Sequence, residues 1–232
     1  MILEDHPMTL DGYLSRFTEV PDIQVVAAVR YGEELLAEIE QHPVDVLLLD
    51  VQVPTSAVNS NPFPIWYTIS RLLAHHPGLE ILVISMHDNE ALVDAALNAG
   101  VCGYILKDDL SAYQNLASIV RTAATGGAYF SPLARERWLQ RRGYKPNPNR
   151  NEMGAESYLS PRQLEALSLC AAYPDLSLYE LSRKMQIEES TIRNLLSRAY
   201  LRLEVSSRGA AVARARQLGL ILPDTPLPPS IN

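Results

Sequence analysis

A chain of 232 residues, 47% of them hydrophobic, has the length of one large domain or two small ones and enough apolar content for a buried core. Its net charge of −7 is uneven: residues 1–125 carry 5 Lys/Arg against 17 Asp/Glu (5 − 17 = −12), 126–156 carry 6 against 3, and 157–232 carry 9 against 7. No apolar run is long enough for a bilayer span and no signal-like start is present, so a cytoplasmic protein without membrane attachment is expected.

The acidic first half gives way to a mildly basic remainder, a weak electrostatic footprint for nucleic acid confined to the second half. Two cysteines, Cys102 and Cys170, stand far apart in apolar contexts. They read as buried free thiols rather than a disulfide or a metal site.

The first half alternates strand and helix. Met1 to Leu3 is a strand end followed by Glu4 and Asp5, and 11–18 reads as a helix with Leu14 and Phe17 on one face. Ile23 to Val29 predicts a second strand and Glu33 to Glu40 a second helix. Val44 to Leu49 is a nearly continuous apolar run ending in Asp50, the pattern of a strand buried on both faces of a parallel sheet. Pro54 then stops it from continuing inside a sheet. A helix over Trp66 to His75, a strand over Glu80 to Ser85, a helix over Asn89 to Ala99, a strand over Gly103 to Lys107 and a helix over Ser111 to Thr125 follow. Short links between such elements imply right-handed crossovers, hence an α/β doubly wound five-strand parallel sheet over residues 1–125.

The polar residues ending those strands carry the chemistry. Glu4 and Asp5 end the first, Asp50 the third, Ser85 the fourth and Lys107 the fifth, and a parallel sheet gathers these ends along one edge. Three carboxylates together need an offsetting cation. A hard divalent ion such as Mg²⁺, bound through oxygen, meets that need beside the lysine. Asp50 can then attack phosphorus to give an acyl phosphate, with Ser85 donating to one phosphoryl oxygen and Lys107 pairing with another. Asp50 as a helix cap is the plainer alternative for its strand taken alone.

These residues resemble a response-regulator receiver domain of flavodoxin-like fold. The resemblance rests on Glu4–Asp5, Asp50, Ser85 and Lys107 and on the gaps between them. It implies Asp50 as phosphoacceptor, a metal held by Glu4, Asp5, Asp50 and the Gln52 backbone, and a switch in which Ser85 and an inward-moving Tyr104 respond to phosphorylation. A packed strand aromatic is the ordinary reading of Tyr104. Two features depart from the family: the first strand is short, and the segment after Pro54, rich in Asn, Ser and Pro, reads as a long loop bordering the site.

Residues 126–156 form a linker with a short helix at Ser131 to Arg142, Ser131 capping and Pro132 opening it. Gly143 to Gly154 is polar and reads as a mobile linker, and the tail over 223–232 reads as disordered. Residues 157–222 are all helical. Ser160 caps a helix begun by Pro161, Ser177 caps Leu178 to Met185, Thr191 to Leu203 follows, and Ser207 to Leu218 is the last. Ile192, Leu196, Ala199 and Leu203 share one face of the third helix, while Arg193, Asn194, Ser197 and Arg198 lie away from it. Two short helices with a tight turn make a helix-turn-helix.

This part is similar to the LuxR-type DNA-binding domain, through Leu159 to Leu167, Ser190 to Asn194, Leu203, Val205 and Arg208 to Ile221. A receiver joined to it defines NarL/FixJ-type response regulators. The resemblance implies a transcriptional regulator, not an enzyme, phosphorylated on Asp50 by a sensor histidine kinase. It also implies duplex DNA contact through Thr191, Arg193, Asn194, Ser197 and Arg198. A homodimer when active is implied as well, its dimerisation element the last helix with Ala211, Val212 and Ala215. Leu178, Tyr179, Leu195 and Glu204 depart from the family at the contact surface, and Glu204 stands where the family has a turn glycine. Those departures leave open a regulator whose helical domain binds a protein. A flavodoxin-like enzyme is disfavoured, since no glycine-rich phosphate loop appears.

Overall fold

A computed structural model describes residues 1–135 and 159–223. Its first part alternates as the sequence pattern requires: β1 (Ile2–Leu3), α1 (Pro7–Thr18), β2 (Ala28–Val29), α2 (Gly32–Ile39) and β3 (Val46–Asp50). Then come β4 (Pro54–Ser56), β5 (Asn59–Pro62), α3 (Ile65–His75), β6 (Glu80–Ser85) and α4 (Glu90–Ala99). The part closes with β7 (Gly103–Leu106), α5 (Leu110–Gln114), α6 (Leu116–Ala124) and β8 (Tyr129–Phe130).

The main sheet is parallel, in the order β2-β1-β3-β6-β7-β8. It therefore has six strands rather than the expected five. β8 pairs with β7 beyond residue 125, where the domain was expected to end. That pairing needs a close approach: a Cβ on Gly103 would stand 2.4 Å from the Tyr129 carbonyl oxygen. The second strand is shorter than expected, only Ala28–Val29 joining β1. The segment after Pro54 is a two-stranded antiparallel hairpin, not a loop, with Pro54 opposite Pro62 and Ser56 opposite Asn59.

The two-residue period of β3 divides the core. Leu47 and Leu49 point into an apolar layer with α2, α3 and α4, while Val46 and Leu48 face a second layer with Leu10, Tyr13 and Phe17 of α1 and Ile119 and Val120 of α6. Each fully buried leucine contributes about 2 kcal/mol by removing apolar surface from water.

The helical part contains α7 (Pro161–Ala172), α8 (Leu178–Met185), α9 (Glu189–Arg202) and α10 (Arg208–Gln217). Ser160 and Ser177 each accept a backbone N–H in a capping box, and Ser207 accepts from the Ala210 N–H. Glu204 adopts φ +56°, in the left-handed region that favours glycine. Ala211 and Ala215 lie in this domain's own core, so the small residues expected at a dimer contact are used internally. The apolar layer on the α3 side of the sheet runs unbroken into this domain.

Residues 132–135 are helical; the rest of the expected helix to Arg142, the linker over 143–154 and the tail from 224 lie outside the described residues. Among the described residues no helix is long and apolar enough to cross a membrane.

Candidate phosphoacceptor site and helical contact face

β1 is followed in sequence by β2 on one side of the sheet, while β3 leads toward β6 on the other. The order in which strands are added thus reverses between β1 and β3, and a crevice opens at their carboxyl ends. Glu4, Asp5 and Asp50 stand there, with one carboxylate oxygen of each within 4.8 Å of the others. β6 and β7 add Ser85 and Lys107 at the same edge. The five residues singled out from strand ends therefore come together.

Lys107 is the cation that holds the cluster. Its Nζ donates to Asp50 Oδ2 at 2.7 Å and to Glu4 Oε1 at 3.0 Å. Asp50 Oδ1 accepts the Gln52 backbone N–H at 2.9 Å, so the acceptor carboxylate is fixed at both oxygens. Burial, and behind it the charge of Asp50, hold the Glu4 carboxyl up at about 7. Burial also raises Asp50 and Asp5 above the usual carboxylate range, Lys107 opposing it in both. The carboxylates in turn raise Lys107, against its own desolvation, so it stays charged.

Lys107 Nζ also lies 2.8 Å from Glu4 Oε2, so one ammonium faces both oxygens of Glu4 and one of Asp50. Three carboxylates converging beside a single ammonium leave an excess of negative charge, which fits a hard oxygen-seeking cation. Glu4, Asp5 and Asp50 are the side chains that could hold it.

Around the acceptor the loop after β6 is tied down. Ser85 Oγ accepts the His87 N–H at 3.0 Å, and the His87 ring is 2.9 Å from Gln52 Oε1. The Tyr104 hydroxyl donates to the His87 carbonyl at 2.6 Å, and the ring is fully buried. Tyr104 points inward in this structure. His87 was not anticipated. Its place two residues past Ser85, on a strand exit, is the only sequence clue to it.

On the helical domain, Thr191, Arg193, Asn194, Ser197 and Arg198 are all exposed along one side of α9, opposite buried Ile192, Leu196 and Ala199. Arg193 pairs with Glu189 Oε1 at 2.5 Å. Leu178 and Leu195 are half-buried against the core, whereas Tyr179 is 61% and Leu201 78% exposed.

Residues 1–116 match the family model of the response regulator receiver domain. The chain is 26% identical to the transcriptional regulatory protein DegU of Brevibacillus brevis over 234 residues, covering 95% of this chain and 94% of that protein. It is 28% identical to the probable transcriptional regulatory protein NarL of Mycobacterium tuberculosis over 230 residues, covering 94% and 93%. Among solved structures, RcsB from Salmonella enterica serovar Typhimurium, bound to promoter P1flhDC with the phosphomimetic BeF3⁻, superposes with a TM-score of 0.58. It covers 93% of this chain and 96% of that one at 20% identity, a likeness of fold.

Proposed function

The chain belongs to the response regulator receiver family, and on that premise we propose that it is a transcriptional regulator whose binding to duplex DNA is gated by Mg²⁺-dependent phosphorylation of Asp50. The observation that carries this reading is the convergence of Glu4, Asp5, Asp50 and Lys107 at the switch point of the sheet, with one oxygen of each carboxylate within 4.8 Å of the others.

The chemistry follows from the geometry. The Asp50 carboxylate, oriented by the Gln52 N–H and Lys107, attacks the phosphorus of a phosphohistidine or acetyl phosphate. An Asp50 oxygen–phosphorus bond forms as the donor's bond to phosphorus breaks, and the leaving group departs with the electron pair. Lys107 transfers its contact to a phosphoryl oxygen and the Ser85 hydroxyl donates to another. Mg²⁺, held by Glu4, Asp5, Asp50 and the Gln52 backbone, would neutralise the remaining phosphoryl charge. The donor in the cell is a sensor histidine kinase, the active form is a homodimer, and the site of action is the cytoplasm.

DNA contact falls to Thr191, Arg193, Asn194, Ser197 and Arg198 on the exposed side of α9. The names of the full-length relatives, transcriptional regulatory proteins, support this assignment. A second reading, a helical domain that binds a protein, draws on exposed Tyr179 and Leu201.

Selection of bound sequences from random duplex DNA, with and without beryllofluoride and Mg²⁺, tests the proposal. One enriched motif, stronger with the phosphoryl mimic and no longer responsive to it in Asp50→Asn, is the expected result. No enrichment in either state at low salt, from folded protein, turns the reading to a protein partner.

A further inference from the structure

Lys107 stands at the second position of a tight turn, and that turn is closed both from within and from outside. Within it, the Asp109 N–H donates to the Leu106 carbonyl at 3.0 Å, while the Lys107 N–H donates to the Ser85 carbonyl at 2.8 Å. The outer closure comes from Ser131. The Leu106 N–H donates to Ser131 Oγ at 2.9 Å, and Ser131 Oγ donates to Asp109 Oδ2 at 3.1 Å. One hydroxyl thus bridges the first and last residues of the turn that carries the ammonium of the acceptor site.

Ser131 follows β8 and lies beyond residues 1–116, the part that matches the receiver family. Its N–H donates to the Tyr104 carbonyl at 2.9 Å, which extends the pairing of β7 with β8 by one bond. The chain then turns into the helix opened by Pro132, and the Arg135 N–H donates to the Ser131 carbonyl at 2.7 Å. A longer strand would offer Leu106 a backbone acceptor; here the Ser131 hydroxyl takes that place. The residue that the sequence marks as a helix cap therefore turns its hydroxyl back to β7, where it is fully buried.

Asp109 divides its two oxygens between two tasks. Oδ1 accepts from the Ser111 hydroxyl at 2.6 Å and the Ala112 N–H at 3.1 Å, which caps α5. Oδ2 faces Ser131 and, at 3.3 Å, the Tyr129 hydroxyl. The Ser111 hydroxyl above all, then the Ala112 N–H and the Ser131 hydroxyl, hold the Asp109 carboxyl below the usual carboxylate range. A hydroxyl bonded to an ionised carboxylate is held more firmly than one bonded to a neutral acceptor. The Ser131 oxygen thereby stays aimed at the Leu106 N–H.

We infer that Ser131, acting with Asp109, is a positioning residue for Lys107. The clasp fixes the backbone from which the lysine side chain reaches Asp50 at 2.7 Å and Glu4 at 3.0 Å. Ser131 bonds neither of these carboxylates, and its effect passes through the backbone of Leu106 to Asp109. Placement matters because a shift of about 1 Å costs a catalysed step on the order of a hundredfold in rate. A residue outside the matched receiver segment thus completes the acceptor site. The effect on rate rests on the proposed phosphorylation of Asp50; the placement of Lys107 does not.

The test uses the full-length protein, Ser131→Ala, and Asp109→Ser, which keeps a capping oxygen for α5 but is too short to reach Ser131. Ser111→Ala removes a hydroxyl from the other oxygen of Asp109 and is the control. The sequence has three lysines, so ¹⁵N labelling of lysine side chains gives few ammonium signals, and Lys107→Arg identifies the one that belongs to Lys107. That signal is expected to shift and to exchange faster with water in Ser131→Ala and Asp109→Ser, and to stay in place in Ser111→Ala. A signal unmoved in both clasp variants overturns the inference, even where their stability in urea has fallen. Should Ser131→Ala not fold, Asp109→Ser decides alone.

Labelling of Asp50 by acetyl phosphate with Mg²⁺ then reads the effect on chemistry. The rate at saturating donor is expected to fall about tenfold in both clasp variants with KM little changed, and the control is expected to match the parent. Equal rates in all four proteins overturn the link from the clasp to phosphoryl transfer. If the parent itself is not labelled, the phosphorylation reading fails, while the lysine signal still decides the placement.

Discussion

The Tyr104 hydroxyl and the His87 carbonyl are joined by a 2.6 Å hydrogen bond that ties the centre of β7 to the loop leaving Ser85. Removing the donor leaves a partly buried carbonyl without its partner. Tyr104→Phe is therefore expected to destabilise the protein by about 1 kcal/mol in urea denaturation, with Asp50 still labelled by acetyl phosphate. A variant as stable as the parent would mean that water replaces the hydroxyl.

Lys107 is the ammonium on which two buried carboxylates depend. Lys107→Ala is expected to cost about 3 kcal/mol at pH 8, because Glu4 and Asp50 must then either stay charged without a partner or take up a proton. The cost is expected to shrink at pH 5, where Glu4 is protonated. Urea denaturation at the two pH values reads this, and an equal cost at both would remove the charge from the explanation.

Glu4 sets a pH dependence of its own. Its folded value of about 7 lies above the usual 4.5, so the folded protein holds that proton more tightly than the unfolded chain. The stability this group contributes is thus fully present below 4.5 and lost as pH rises through about 7. Mg²⁺ binds the ionised form and is expected to flatten the loss, while Glu4→Gln is expected to remove it. Thermal melts across this range with and without MgCl₂ provide the check; stability of the parent rising with pH relative to Glu4→Gln would contradict the sign.

Arg193 is held by Glu189, so a nucleic-acid phosphate must compete with that carboxylate. Arg193→Ala is expected to weaken duplex binding and, for a phosphate contact, to lower the salt slope by about 1. Glu189→Gln is expected to strengthen binding. Anisotropy at matched salt distinguishes these outcomes, and equal affinity in all three proteins would exclude this side of α9.

Glu204 occupies a left-handed backbone position at φ +56° after α9. Glu204→Gly is expected to stabilise the protein by up to about 1 kcal/mol, relief of the side-chain clash exceeding the added chain entropy. Chemical denaturation reads the gain, and a loss would show that the Glu204 side chain makes a compensating contact.

What the sequence by itself determined is the part governed by short-range pattern. The apolar run into Asp50, the alternation of strand and helix and the serine caps at Ser160, Ser177 and Ser207 each follow from local periodicity and backbone preference. The meeting of Glu4, Asp5, Asp50, Ser85 and Lys107 followed too, because parallel strands put all their carboxyl ends on one edge. Tertiary structure decided the rest. Residues 23–27 have the composition of a strand, yet only Ala28–Val29 join β1 in the ladder at that edge of the sheet. Pro54 to Pro62 reads as a loop by its Asn, Ser and Pro, and becomes a hairpin through pairings such as Thr55 Oγ1 to the Asn61 carbonyl. β8 is too short to leave a period, and exists because Gly103 admits the Tyr129 backbone. The hydrogen bonds from Trp66 to Leu220 and from Asn59 and Asn61 to Ala172 join residues more than a hundred positions apart. Nothing in the local pattern specifies such contacts, since they depend on which surfaces meet once both domains have formed.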